Sequence, residues 1–164
     1  MKAASSNKKK KPLKQLILVA NGVNLDLLGR RQPEIYGYGT LHDLQTVLLA
    51  KLNELKMVGL GEGIDLDFFQ SNHEAEYLEK VSSQSYLSMI LNPGAWTHTS
   101  LALRDRLLAL PCAFVEVHLS NPFVREDVRR HSLIGDLGLG VIAGFKLESY
   151  SLALDFLIRR LQRP

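Results

Sequence analysis

Residues 16–20 read L-I-L-V-A and pass directly into N-G-V-N at 21–24, an unbroken apolar run followed by a polar turn. A run this short, bounded by turn residues and apolar at every position, suits a strand buried on both faces. Downstream, Leu41 to Met57 places Leu41, Leu44, Leu48, Leu52 and Leu55 at three- and four-residue spacings, with Thr40 as N-cap and Gly59 past the end. That spacing predicts an amphipathic helix. Ile64 to Phe69 alternates apolar and acidic residues before Gln70 to Asn72, and Glu74 to Val81 predicts a second helix. Leu87 to Leu91 is a third strand, and the helix starting near Thr97 to Ser100 carries Leu101, Leu103, Leu107 and Leu108. Phe114 to Val117 is a fourth strand and Val141 to Phe145 a short fifth. The last helix, Leu147 to Leu161, ends among Arg159, Arg160 and Arg163, which suits the negative end of a helix dipole.

Strands alternating with helices predict a single α/β domain over residues 15–164, a flavodoxin-like doubly wound five-stranded parallel sheet. Ligands of such folds bind beyond the carboxyl ends of the strands. Polar residues sit there in this chain: Asn21 to Gly29 after the first strand, Gln70 to His73 after the second, Asn92 to Thr99 after the third, His118 to Asn121 after the fourth. Four loops are therefore expected to converge on one crevice.

Of the twenty basic side chains, six are lysines within residues 1–14, where no acid occurs. This segment is too polar to bury itself, and it is expected to be a disordered, solubilising tail. No aromatic residue interleaves its lysines, so nucleic acid is not the expected partner, although salt-sensitive duplex binding through the tail would support that class. The apolar run at 16–20 is too short for a secretory signal, and nothing is long enough to span a membrane. A lone cysteine, Cys112, has no partner for an intramolecular disulfide and sits in an apolar run, which fits a small buried side chain and a reducing cytoplasm.

The loop from Asn21 to Tyr38 holds two arginines, two tyrosines, three glycines and a proline. Tyr36 lies close to Arg30 and Arg31, and a nearby cation favours a phenolate, which would make Tyr36 a general base. The same tyrosine could instead pack on the scaffold with its hydroxyl in water. Glu116 and His118 alternate on one strand end and share a face, so the carboxylate can orient the ring and favour its protonated form, a general acid. A merely hydrogen-bonded strand-end histidine is the alternative. Asn92, Pro93 and Gly94 offer an amide and backbone N–H groups to a hydroxyl or carboxylate. Arg125, Arg129 and Arg130 would share part of a helical turn and could bind an anion, or form a solvated charged face.

The five histidines lack the close pairings of zinc or iron sites, so no metal is expected. No G-x-S-x-G elbow, P-loop or dinucleotide fingerprint occurs. Outside the tail the lysines are Lys51, Lys56, Lys80 and Lys146, the first three on predicted helices, which disfavours Schiff-base chemistry. A non-catalytic nucleotide-binding module of the same fold remains open, and flavin absorbance would reveal it.

Four stretches, taken together and in order, resemble the type II dehydroquinases: N-G-V-N-L-D-L-L-G-R-R-Q-P-E-I-Y-G from Asn21, F-Q-S-N-H-E from Phe69, N-P-G-A-W-T-H-T-S-L-A-L-R-D from Asn92 and E-V-H-L-S-N-P-F-V-R-E from Glu116. The similarity covers roughly Leu16 to Leu161. It implies a cofactor-free 3-dehydroquinate dehydratase of the shikimate pathway, in aromatic amino-acid biosynthesis, or of quinate breakdown. By resemblance Tyr36 removes the C2 proton, Arg31 holds it as phenolate, Asn24 positions a water at the enolate oxygen, and His118, held by Glu116, protonates the departing hydroxyl. Asn92, His98, Leu119, Ser120 and Arg129 would bind the substrate, with Arg125 at the lid or carboxylate region. Asp105 would reach a neighbouring subunit's site, in a homododecamer of four trimers. The chain departs from the family pattern at Val23, a customary proline, at Trp96, and across Gly135 to Gly140.

Overall fold

The computed structural model describes residues 15–162. The tail at residues 1–14 and Arg163, both read above from sequence, lie outside them. Five strands, β1 (Gln15–Asn21), β2 (Ile64–Gln70), β3 (Ser88–Asn92), β4 (Phe114–His118) and β5 (Val141–Ala143), form one parallel sheet in the order β2-β1-β3-β4-β5. Between them run α1 (Pro33–Tyr36), α2 (Leu41–Met57), α3 (Glu74–Val81), α4 (Trp96–Thr99), α5 (Leu101–Leu108) and α6 (Glu148–Leu161). The sheet is the doubly wound, flavodoxin-like one expected.

Because strand side chains alternate, β1 serves two cores at once. Ile17 and Val19 pack with Leu44, Leu48 and Leu52 of α2 and with Tyr150, Leu154 and Leu157 of α6. Leu18 and Ala20 point the other way, into Tyr77 and Val81 of α3 and Leu103 and Leu107 of α5. A strand walled on both faces has to be apolar at every position, which is why the run at 16–20 carries no polar residue. Helix α2 starts in a capping box, with Thr40 Oγ1 accepting from Asp43 N at 3.2 Å and the Asp43 carboxylate accepting from Thr40 N at 2.8 Å. Such a cap is worth about 1 kcal/mol.

Three of the expected elements differ from the sequence reading by more than one residue at an end. The helix expected near Thr97 is two pieces, broken at Ser100, which is extended (φ −97°, ψ 99°) and caps α5 through its hydroxyl, 2.8 Å from Leu103 N. The segment after β4 forms two short 3-10 turns, Pro122–Val124 and Asp127–Arg129, so its arginines do not share an α-helical turn. Strand β5 stops at Ala143 because Gly144 takes φ 98°, a conformation that ends the ladder.

The chain leaves β1 towards β2 on one side and reaches β3 on the other, so their following loops diverge and open a crevice. At its floor Gly22 N donates to Asn92 O at 2.8 Å. A Cβ on Gly22 would sit 2.3 Å from Pro93 O, so only glycine lets the two loops approach this closely.

Candidate active site

The crevice is lined from three loops. Asn24, Leu25, Leu28, Arg31 and Tyr36 come from the segment after β1, Asn92, Gly94, Ala95 and His98 from the end of β3 and the segment after it, and His118, Leu119, Ser120, Pro122, Arg125 and Arg129 from the end of β4 and the segment after it. The fourth loop, expected to converge with them, braces from behind: Asn72 Oδ1 accepts from Asn24 N at 2.7 Å and from Gln70 Nε2 at 3.2 Å. This contact supports Asn24 in a left-handed conformation (φ 65°), which asparagine tolerates better than most residues. Asp105 is exposed on α5 and does not line this crevice.

On the β4 side, His118 Nε2 lies 2.6 Å from Glu116 Oε1, with only 13% of the histidine side chain and none of the glutamate side chain accessible. Burial would push the Glu116 carboxyl up. Hydrogen bonds from His118, Thr97 and Ser132, with the charge of His118, overcome that and hold it below the ordinary glutamate value. Next to it the rings of His98 and His118 stack at 6.2 Å. Burial favours neutral His98, opposed by its bond to the His131 carbonyl and reinforced by the charges of His118 and Arg129. A carbonyl can only accept, so His98 Nδ1, 2.7 Å from it, carries the proton and Nε2 is left as an acceptor for a substrate hydroxyl.

Opposite, Tyr36 stands at the end of α1, where Pro33 opens the helix with its ring suited to the first turn. Two guanidinium groups flank its ring, Arg31 at 5.7 Å and Arg125 at 5.6 Å from the centroid, and Arg125 Nη1 donates to the phenol oxygen at 3.0 Å. Arg129 completes this wall beside Glu126, their Nε and Oε2 3.0 Å apart in an alignment that makes no hydrogen bond. Arg130 instead pairs with Asp127 on the exposed surface.

At the floor Asn92 Nδ2 donates to Tyr150 OH at 2.7 Å, Tyr150 OH donates to Asn21 Oδ1 at 2.6 Å, and Gly94 N donates to Asn92 Oδ1 at 3.2 Å. This buried chain fixes the face that Asn92 turns to the crevice, and burial pushes the Tyr150 phenol well up, keeping it neutral. Sequence reasoning missed Thr97, Ser132 and the Asn21–Tyr150 pair, whose partners are far off in sequence. It put Arg125 at the lid or carboxylate region, and in the structure Arg125 makes the direct contact with Tyr36. No group of three or more acidic, histidine or cysteine side chains suited to a metal occurs among the described residues. No helix among them is long and apolar enough to cross a membrane.

Known proteins resemble this chain in sequence and in fold. The 3-dehydroquinate dehydratase of Francisella philomiragia subsp. philomiragia is 46% identical over 138 residues, 84% of this chain and 90% of that protein. The structure of the type II dehydroquinase from Propionibacterium acnes superposes with a TM-score of 0.77 at 36% identity, over 88% of this chain and 97% of that one. That from Butyrivibrio crossotus gives 0.80 at 33% identity, over 87% and 97%. The model of the class II dehydroquinases matches residues 15–158, and the chain belongs to that family.

Proposed function

We propose that this dehydroquinase acts as a hydro-lyase on 3-dehydroquinate, releasing water and 3-dehydroshikimate with Tyr36 as base and His118 as acid. The observation that carries this reading is the pairing of a cation-held phenol with a carboxylate-held imidazole on facing walls of one crevice. Tyr36 takes the proton from C2, and the C–H electron pair moves into an enolate at the adjacent ketone. Asn24, through a water, stabilises the enolate oxygen as a preorganised dipole. The enolate then collapses to form the C1–C2 double bond as the C1 hydroxyl leaves with the proton delivered by His118. A C–H and a C–O bond break, a C=C bond forms and water leaves with no net oxidation or reduction, so the step as written calls on no redox cofactor.

Glu116 orients His118, and Arg31 and Arg125 favour the Tyr36 phenolate. Asn92, His98, Leu119 and Ser120 bind the hydroxyls and Arg129 the carboxylate. Asp105, outside this crevice, would serve a neighbouring protomer's site in a dodecamer of four trimers. The product belongs to the shikimate route to aromatic amino acids in the cytoplasm. The test is the rise in ultraviolet absorbance of the conjugated enone acid when the protein meets 3-dehydroquinate. Turnover by the wild type, and its loss by about 100-fold or more in Tyr36→Phe and in His118→Ala with the fold retained, is expected. Near-wild-type activity in either variant refutes that residue's role, and no turnover by a folded, assembled wild type refutes the activity.

A further inference from the structure

Glu116 is fully buried, and a buried carboxylate needs donors on both oxygens. Its Oε1 faces His118 Nε2 and the Thr97 hydroxyl, and its Oε2 faces the Ser132 hydroxyl at 2.7 Å. The direction of the Ser132 proton can be worked out by counting. A hydroxyl has one proton and two lone pairs, and both lone pairs of Ser132 are taken by backbone N–H groups, Ile134 at 3.1 Å and Gly135 at 2.9 Å. Its proton is committed to Glu116, and Ser132 has no lone pair left for Thr97, 3.2 Å away, whose own proton also goes to Glu116. Three donors converge on one carboxylate, and a proton on Glu116 would displace one of them.

We infer that Ser132 is a positioning residue for the acid step: through Glu116 it sets the tautomer of His118. With Glu116 ionised, His118 Nε2 keeps its proton in both charge states, and Nδ1 is the nitrogen that gains and delivers the reacting proton. The inference rests on His118 acting as the acid. The segment that carries Ser132 is built to hold still. Arg104 binds the Leu133 carbonyl and pairs with both oxygens of Asp136, at 2.6 and 2.9 Å, while Leu133 N donates to Thr97 O at 2.8 Å. One residue earlier, the His131 carbonyl fixes the tautomer of His98. The loop from His131 to Asp136 thus orients both histidines of the crevice without lining it at Ser132.

The experiment is nitrogen-15 NMR of the histidine rings across pH on the full chain, with steady-state kinetics of wild type and Ser132→Ala. The charged and titratable groups that line a cavity with His118 are Glu116 on its own strand, His98 on α4, Arg125, Arg129 and Arg130 after β4, and Arg31 and Tyr36 after β1, all unchanged in the variant. Wild type is expected to show neutral His118 with its proton on Nε2. In Ser132→Ala the two tautomers mix and kcat falls about tenfold, as expected for losing a hydrogen bond to a charged group, with KM within about twofold. Ser132→Thr restores both. A wild type with neutral His118 protonated on Nδ1 overturns the inference and needs no variant. So does a folded Ser132→Ala with an unmoved tautomer. The ring spectra do not depend on turnover, so loss of the proposed activity would register separately.

Discussion

Arg125 Nη1 donates to the hydroxyl of Tyr36 at 3.0 Å, joining residues 89 positions apart. The bond grows stronger as the phenol loses its proton, because it becomes a cation–anion contact. Arg125→Ala should therefore lower kcat by about 10- to 100-fold. Arg31→Ala, which removes a guanidinium lying over the ring rather than at the oxygen, should lower it less. Equal losses of kcat in the two variants would count against a special role for the direct bond.

Glu116 supplies a pH dependence of stability. Its folded carboxyl titrates below the ordinary value of 4.5 that the unfolded chain would show. The stabilisation is therefore fully present above 4.5 and drains away as pH falls through the lower folded value. Melting temperatures of wild type and Glu116→Gln, taken from neutral to acid pH, should differ at neutral pH and converge below 4.5. A gap that stays constant over that range would contradict the assignment.

Lys146 combines a strained backbone with a long reach. It holds φ 55°, its N–H donates to Leu119 O at 3.0 Å, and its Nζ donates to the carbonyl of Ile35, the residue before Tyr36, at 2.5 Å. Lys146→Gly relieves the strain but frees the unfolded chain, so the melting temperature should move little, by about 2 °C or less. The segment 32–38 should be cleaved faster by a protease. An unchanged cleavage rate would show that the lysine does not restrain it.

Gly22→Ala tests the crevice floor. Its Cβ would lie 2.3 Å from Pro93 O and 2.9 Å from Pro93 Cα, contacts that force the loops after β1 and β3 apart. Denaturant unfolding should show a loss of about 3 kcal/mol, with activity falling further than stability explains. Wild-type stability would mean that the loops can part freely.

The fold was legible where burial imposes a pattern. Helix α2 runs from Leu41 to Met57 as its leucine spacing predicts, because one face meets the sheet along its whole length. Strand β3 was misplaced by one residue at each end, since the apolar run Leu87 to Leu91 marks burial, whereas the ladder with β1 runs from Ser88 to the polar Asn92. In the crevice, Tyr36 and His118 stood out as polar residues on loops after strands, and the Glu116–His118 pair followed from strand alternation. Their roles as base and acid were candidates from the neighbouring charges, and resemblance favoured those roles over the structural alternatives. Arg30 and Arg31 were read as cations beside Tyr36 because they are near in sequence, and resemblance singled out Arg31, whereas the contact from Arg125 depends on a tertiary approach that no local pattern encodes. Thr97 and Ser132 were invisible for a similar reason: a hydroxyl is ordinary until a buried charge is found beside it.

Along the chain the reacting groups come before several of their fastenings. Tyr36 and His118 precede Ser132, Lys146 and Ser149, whose hydroxyl donates to His118 O at 3.1 Å. A nascent chain that has emerged only through β4 already carries base and acid, yet Glu116 then lacks the Ser132 donor and has no settled place in an apolar sheet. Competence would arrive late in synthesis, once the final segments close over that anion. A half-made molecule would therefore not be a half-active one.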